Sequence, residues 1–164
     1  RKGKTRDIGL IKDIKINNNE IWRKKIIRSI EFNYKKSNNF EKYFPLIEDI
    51  FNKEWELLSE LNTYIIQKIF DKLNINTKII RASELNIEGT GEKLILDICK
   101  EFNPEYYISG PTGIAGRGKG YEYNFFKEGI KVKYHGFIHP VYKQLHGSFL
   151  PHMSIIDKMF NNGC

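Results

Sequence analysis

Five glycines between residues 110 and 120 (Gly110, Gly113, Gly116, Gly118 and Gly120) constrain this chain more than any other stretch. A run of that kind cannot be regular structure, because glycine adopts left-handed and strained backbone angles at little cost. Tyr106, Tyr107 and Ile108 before it suit a pleated, half-buried surface and read as a strand end. After it, Glu122 to Gly129 reads as a short helix with a glycine stop, and Ile130 to His135 alternates like a strand. Strand, loop, helix, strand is the unit of a parallel sheet, whose ligands sit at the carboxyl ends of the strands. Open backbone amides at Ser109, Gly110 and Gly113, with Pro111 fixing the turn and Arg117 and Lys119 adding charge, suit an anion. The glycines fall at intervals of three, three, two and two, which match neither a phosphate loop nor a dinucleotide fingerprint. A surface loop that binds nothing is the plain alternative.

The remaining periodicities fill in an α/β pattern. Leu10 to Ile16 alternates as a strand, and Asn17 to Glu20 supplies a turn and cap before a helix running to Lys35. A second helix is predicted over Glu41 to Asn52, with Pro45 in its first turn, and a third over Glu54 to Asn74. Thr77 to Ala82 reads as a strand whose end carries Arg81, Ser83 and Glu84, followed by a helix over Glu92 to Phe102. Cys99 falls mid-stripe in that helix and reads as a small core residue, not a nucleophile. The predicted fold is α/β: a mostly parallel sheet with flanking helices, built from tandem strand–helix–strand units, with a helical insertion in the N-terminal half. Residues 1–164 are expected to form a single domain.

Composition limits the function classes. Twenty-seven lysines and arginines against 20 acids give a net charge of +7, which invites a polyanion partner. The lysines are spread along the chain and not gathered in one block, and no nucleic-acid motif is present, so nucleic acid is not the expected main ligand. No apolar run reaches membrane-spanning length, and Arg1 to Arg6 has no signal-like stretch. Two cysteines, Cys99 and Cys164, are too few for a disulfide scaffold and favour a reducing, cytoplasmic setting. No pattern specifies a cofactor.

Three of the four histidines, His139, His146 and His152, lie in a C-terminal segment without clear period. Their spacings of seven and six residues match no common zinc pattern. A single general base needs only one proton acceptor within reach, and His146 in Gln144-Leu145-His146-Gly147 is the candidate, since the glycine beside it lets a substrate approach. A histidine hydrogen-bonded within an extended loop is the alternative. Ser154 to Asp157 reads as a capping box opening a final helix, which gives Asp157 a structural role.

The run Tyr142 to Gly163 joins a Gln-x-x-Gly-x-Phe segment to a Ser-Ile-Ile-Asp helix ending in Phe-Asn-Asn-Gly. It resembles the closing signature of the WbqC-like family, with Met153 where the family usually has Leu. The Ser109-Gly110-Pro111 turn, Tyr121, Ala82-Ser83-x-Leu85 and the Ile14 to Trp22 region with its Trp-Arg-Lys also fit, so the resemblance covers essentially the whole chain. The family opens on a Gln-Pro-x-Tyr-Leu-Pro-like strand and loop with no counterpart here, so site residues from that segment are expected to be missing. The glycine loop is also longer than the family's compact Gly-Pro-x-Gly turn. Members occur in bacterial surface-polysaccharide gene neighbourhoods. The resemblance therefore implies a transferase-like or accessory enzyme acting on sugar nucleotides or amino sugars. Its anionic, sugar-nucleotide-like substrate would be held by Ser83, Ser109, Gly110, Pro111, Gly113, Arg117, Lys119, Tyr121, Gln144 and Gly147, with His146 as base. The rival expectation is a non-catalytic basic domain that docks on nucleic acid or an acidic partner.

Overall fold

Apolar residues recur at helical spacing from residue 22 to residue 73, and that stretch folds as three helices: α1 (Trp22–Tyr34), α2 (Phe40–Asn52) and α3 (Leu58–Lys72). They are followed by α4 (Gly91–Phe102), β1 (Tyr106–Ser109), α5 (Tyr121–Lys127), β2 (Lys131–Tyr134) and α6 (Ile155–Asn162). The computed structural model describes residues 9–110 and 121–163, with only the backbone of Tyr121. The chain divides into two compact units, one from residues up to Ile79 together with those from His139 onward, the other from Ile80 to Ile138.

The first unit is helical. Phe40, Tyr43, Ile47, Ile50 and Phe51 form the buried stripe of α2 and pack with Leu61 of α3 and with Met159 and Phe160 of α6. Ile26, Ile27, Ile30 and Tyr34 of α1 close that core from another side. Pro45 is the sixth residue of α2, in its second turn, because the helix begins at Phe40, one residue earlier than the sequence suggests. Its ring lacks the N–H that the Glu41 carbonyl would otherwise accept. Where α6 ends, the backbone and side-chain amides of Asn39 both donate to the Phe160 carbonyl, each at 3.3 Å.

The expected strand over Leu10 to Ile16 does not form. The segment holds a 3-10 turn at Ile11–Asp13 and a single antiparallel bridge between Lys15 and Leu57. Ile16 N–H donates to the Glu56 carbonyl at 2.8 Å and Leu58 N–H to the Ile14 carbonyl at 2.9 Å. Alternation alone supplies no partner strand, and Leu10 and Ile11 stay exposed.

The second unit carries the sheet. β1 and β2 pair in parallel, with Tyr106 opposite Lys131 and Ser109 opposite Tyr134. Phe125 of α5 is wholly buried, stacks on Tyr107 of β1 at 4.9 Å and packs with Cys99 of α4, Ile130 and Val132. The strand–helix–strand unit around the glycine run therefore stands. The tandem arrangement does not: among the described residues the sheet has two strands, and Thr77 to Arg81 is unpaired extended chain ending in a 3-10 turn, Ala82–Glu84. The fold is mixed α and β with a small parallel sheet, and the N-terminal half is a helical unit with its own core. Among the described residues no helix is long and apolar enough to cross a membrane.

Phe160 is 1% exposed and stacks on Tyr34 at 4.8 Å, whereas Phe32 is 87% exposed. Phe160→Ala is expected to cost about 3–5 kcal/mol in urea unfolding. Phe32→Ala is expected to stay within about 0.5 kcal/mol of the parent.

Candidate functional site

Helix α6 opens on Ser154, whose hydroxyl accepts the Ile156 N–H at 3.4 Å. The sequence assigns Asp157 to the other half of that capping box. The structure instead turns the Asp157 carboxylate into the interior, where the residue is 5% exposed. Its Oδ1 accepts from the Tyr34 hydroxyl at 2.8 Å and from Asn161 Nδ2 at 3.1 Å. Its Oδ2 accepts from the Tyr142 hydroxyl at 2.7 Å and from Gln144 Nε2 at 2.9 Å. Each oxygen has two donors, so the carboxylate's lone pairs are matched. A buried charge without such partners would be strongly destabilising.

Gln144 carries the network into the neighbouring loop. Its Nε2 also donates to the Leu150 carbonyl at 3.0 Å, and its Oε1 accepts the Leu150 N–H at 2.7 Å. The segment from residue 144 to residue 150 is thus closed by one side chain, itself anchored on Asp157. His146 lies within that loop, next to Gly147, whose φ of +61° favours glycine. His146 Nε2 donates to the Asn33 carbonyl of α1 at 3.1 Å. Because a carbonyl only accepts, this bond places the neutral ring's proton on Nε2 and leaves Nδ1 as an acceptor. A cavity of about 460 Å³ lies here, lined by Ser29, Ile30, Asn33 and Tyr34 of α1, by Gln144, Leu145, His146, Leu150 and Met153, and by Asp157 and Asn161 of α6. Among the described residues no lysine or arginine lines it.

The WbqC-like protein family matches residues 2–164, a span that includes the segment that builds this cavity. The chain belongs to that family. It is also 28% identical over 144 residues to the Mycobacterium tuberculosis (strain ATCC 25618 / H37Rv) protein named "Uncharacterized protein Rv1507c". That match covers 87% of this chain and 61% of the relative, so the chain spans less than two thirds of the relative's length. No solved structure matches.

In this WbqC-like chain the predicted site residues fall in both units. Gln144, His146 and Gly147 belong to the first, and Gln144 and His146 line the cavity. Gln144 has committed both amide hydrogens and one carbonyl lone pair to the loop, so its place there is structural positioning. Ser83, Ser109 and Gly110 belong to the second unit. Ser83 is exposed in the 3-10 turn, and Ser109 is 4% exposed with its hydroxyl donating to the Gly110 carbonyl at 3.3 Å. Pro111, Gly113, Arg117, Lys119 and the side chain of Tyr121 lie outside the described residues. His139 packs its ring against Tyr142, Phe149 and His152. Among the described residues no group of three or more His, Cys, Asp or Glu is placed to hold a metal ion. Cys99 is buried, and burial pushes its thiol pKa up.

Tyr34, Asn33, Tyr142, Asp157 and Asn161 were not legible as site residues. Tyr142 and Asp157 fall inside the closing signature, which is the one signal that could have flagged them. Tyr34 lies 123 residues from Asp157 and reads in sequence only as the end of an apolar stripe.

Burial, then the bond to Asp157, holds the Tyr34 hydroxyl protonated well above the usual tyrosine range, and Tyr142 is raised for the same two reasons. The folded chain therefore keeps protons that the unfolded chain releases from about pH 10. Stability is expected to be flat in this respect below that pH and to fall as pH rises past it. In urea unfolding across this range, Tyr34→Phe should lose about 1.5–3 kcal/mol at neutral pH and then fall less steeply at alkaline pH than the parent.

Proposed function

We propose that this WbqC-like chain is an enzyme of bacterial surface-polysaccharide biosynthesis that transfers a group to or from an activated sugar or amino sugar. The sugar occupies the cavity of the first unit, and His146 acts as general base. The observation that carries this reading is the setting of His146. One ring nitrogen is fixed on a helix carbonyl, and the ring lines a largely apolar cavity of about 460 Å³ where Asp157, the acidic side chain among the described lining residues, already has all its lone pairs matched. Such a cavity suits a neutral, hydroxyl-bearing group better than a free anion. Ser29 and Asn33 offer polar atoms on one wall, with Ile30, Leu145 and Leu150 as apolar surface for the ring's C–H face. His146 Nδ1 would take the proton of an attacking hydroxyl or amine, a role that contributes about 10²–10⁴-fold in rate. The reading rests on the first unit alone.

The net charge of +7 favours one rival, a basic domain that docks on nucleic acid or an acidic protein. A thermal-shift screen against sugar nucleotides, amino sugars, free nucleotides and short RNA separates the two. The proposal expects stabilisation by a sugar ligand, about 2.7 kcal/mol at 100 times its dissociation constant. His146→Ala should keep the fold by circular dichroism and lower turnover of that ligand about 10²–10⁴-fold. Stabilisation by RNA alone, fading as salt rises, would overturn it.

A further inference from the structure

A second and smaller cavity, of about 130 Å³, shares Gln144, Leu145 and Asn161 with the His146 cavity and adds Lys36, Ser37, Asn38 and Lys143 to its lining. Its character is opposite. Among the described residues no carboxylate lines it. Lys36 and Lys143 are exposed and, among the described residues, carry no ion-pair partner, while Lys35 beside them is paired with Glu31 at 3.1 Å. The Ser37 hydroxyl oxygen is buried and has no hydrogen-bond partner. The backbone around it is satisfied, with Ser37 N–H donating to the Tyr34 carbonyl at 2.8 Å and Phe40 N–H to the Ser37 carbonyl at 3.2 Å. Only the side chain is left over, and a buried hydroxyl without a partner is uncommon in folded chains.

We infer that this small cavity is a phosphoryl subsite, and that the ligand of the His146 cavity is a sugar phosphate whose anionic group rests against Lys36, Ser37 and Lys143. The inference rests on the reading of the larger cavity as a sugar site. Two ammonium groups supply the positive charge that the described lining of the larger cavity lacks, and the Ser37 hydroxyl, buried as it stands, would reach an oxyanion as a neutral donor by turning about its Cα–Cβ bond. The size admits a single phosphoryl group and not a nucleoside. Gln144 and Leu145 line both cavities, so the loop that presents His146 also separates ring from phosphate. The phosphoryl group of a sugar monophosphate and that of a nucleoside-diphosphate sugar share this chemistry.

The test is a titration of the ¹⁵N-labelled full chain, followed by NMR, with inorganic phosphate, glucosamine, glucosamine 1-phosphate and UDP-N-acetylglucosamine. Inorganic phosphate is expected to shift the backbone amides of Lys36, Ser37 and Lys143, and to do so equally in His146→Ala. Glucosamine 1-phosphate should bind at least about tenfold tighter than glucosamine, and Lys36→Gln with Lys143→Gln should remove that margin. Both lysines are exposed, so the double variant is expected to fold. UDP-N-acetylglucosamine binding more tightly than glucosamine 1-phosphate would identify the nucleotide-linked source, and the reverse order the monophosphate. Absence of the phosphate shifts would overturn the inference, whatever the sugars do. So would shifts spread over lysines across the surface and lost at about 0.15 M salt, or a double variant that keeps the tenfold margin. Phosphate shifts at Lys36 and Lys143 with no response to any sugar would keep the subsite and sink the sugar reading instead.

Discussion

A carboxylate removed from water must be matched by donors, and Asp157 is matched four times from three parts of the chain. Tyr34 brings α1 to it, Tyr142 and Gln144 bring the C-terminal loop, and Asn161 stands one turn along α6. Two of these donors are tyrosine hydroxyls whose rings also belong to the buried surface, Tyr34 stacked on Phe160 and Tyr142 packed against Phe149. Polar matching and apolar packing are therefore satisfied by the same side chains. Removing any one donor leaves a charge short of a partner in a place water reaches poorly, so the network behaves as a unit.

The site follows from that constraint. Gln144 can hold Leu150 from both its backbone groups only because its own amide is oriented on Asp157. The closed loop then offers His146 to the Asn33 carbonyl, 113 residues earlier in the chain. A side chain carried on a loop is ordinarily poorly positioned, and here the loop is tied at its ends by Gln144 and at its middle by His146 itself. The His146 cavity and the lysine-lined cavity beside it take their shape from this arrangement, one largely apolar with the matched Asp157 carboxylate on its wall, the other basic.

The helices of the first unit were legible because burial of one face leaves a period in the sequence, as Phe40, Tyr43, Ile47 and Ile50 show. The strand–helix–strand unit was legible for a similar reason, since Tyr106 to Ile108 and Lys131 to Tyr134 flank a glycine run and a short helix. Leu10 to Ile16 and Thr77 to Ala82 were misread because alternation describes a segment able to pair, and pairing needs a partner that local sequence does not reveal. Asp157 has a local explanation, the capping box, that is sufficient in sequence and wrong in space. An aspartate at that position can turn inward when donors wait there, and those donors are Tyr34, far away in the chain, and Tyr142 and Gln144, in a segment without period. His146 and Gln144, which line the cavity, drew notice in the sequence because the segment carrying them has histidines and glycine where no helix or strand pattern accounts for them.

The most direct measurement of the central claim is amide hydrogen exchange at Leu150 in the parent chain and in Asp157→Asn. The substitution replaces one acceptor oxygen with a donor amide that faces donors, so Gln144 should lose its orientation and release Leu150. Slow exchange at Leu150 in the parent, and much faster exchange in Asp157→Asn, is the predicted result. Exchange at the rate of an unstructured peptide in the parent, or slow exchange unchanged by the substitution, would contradict the account.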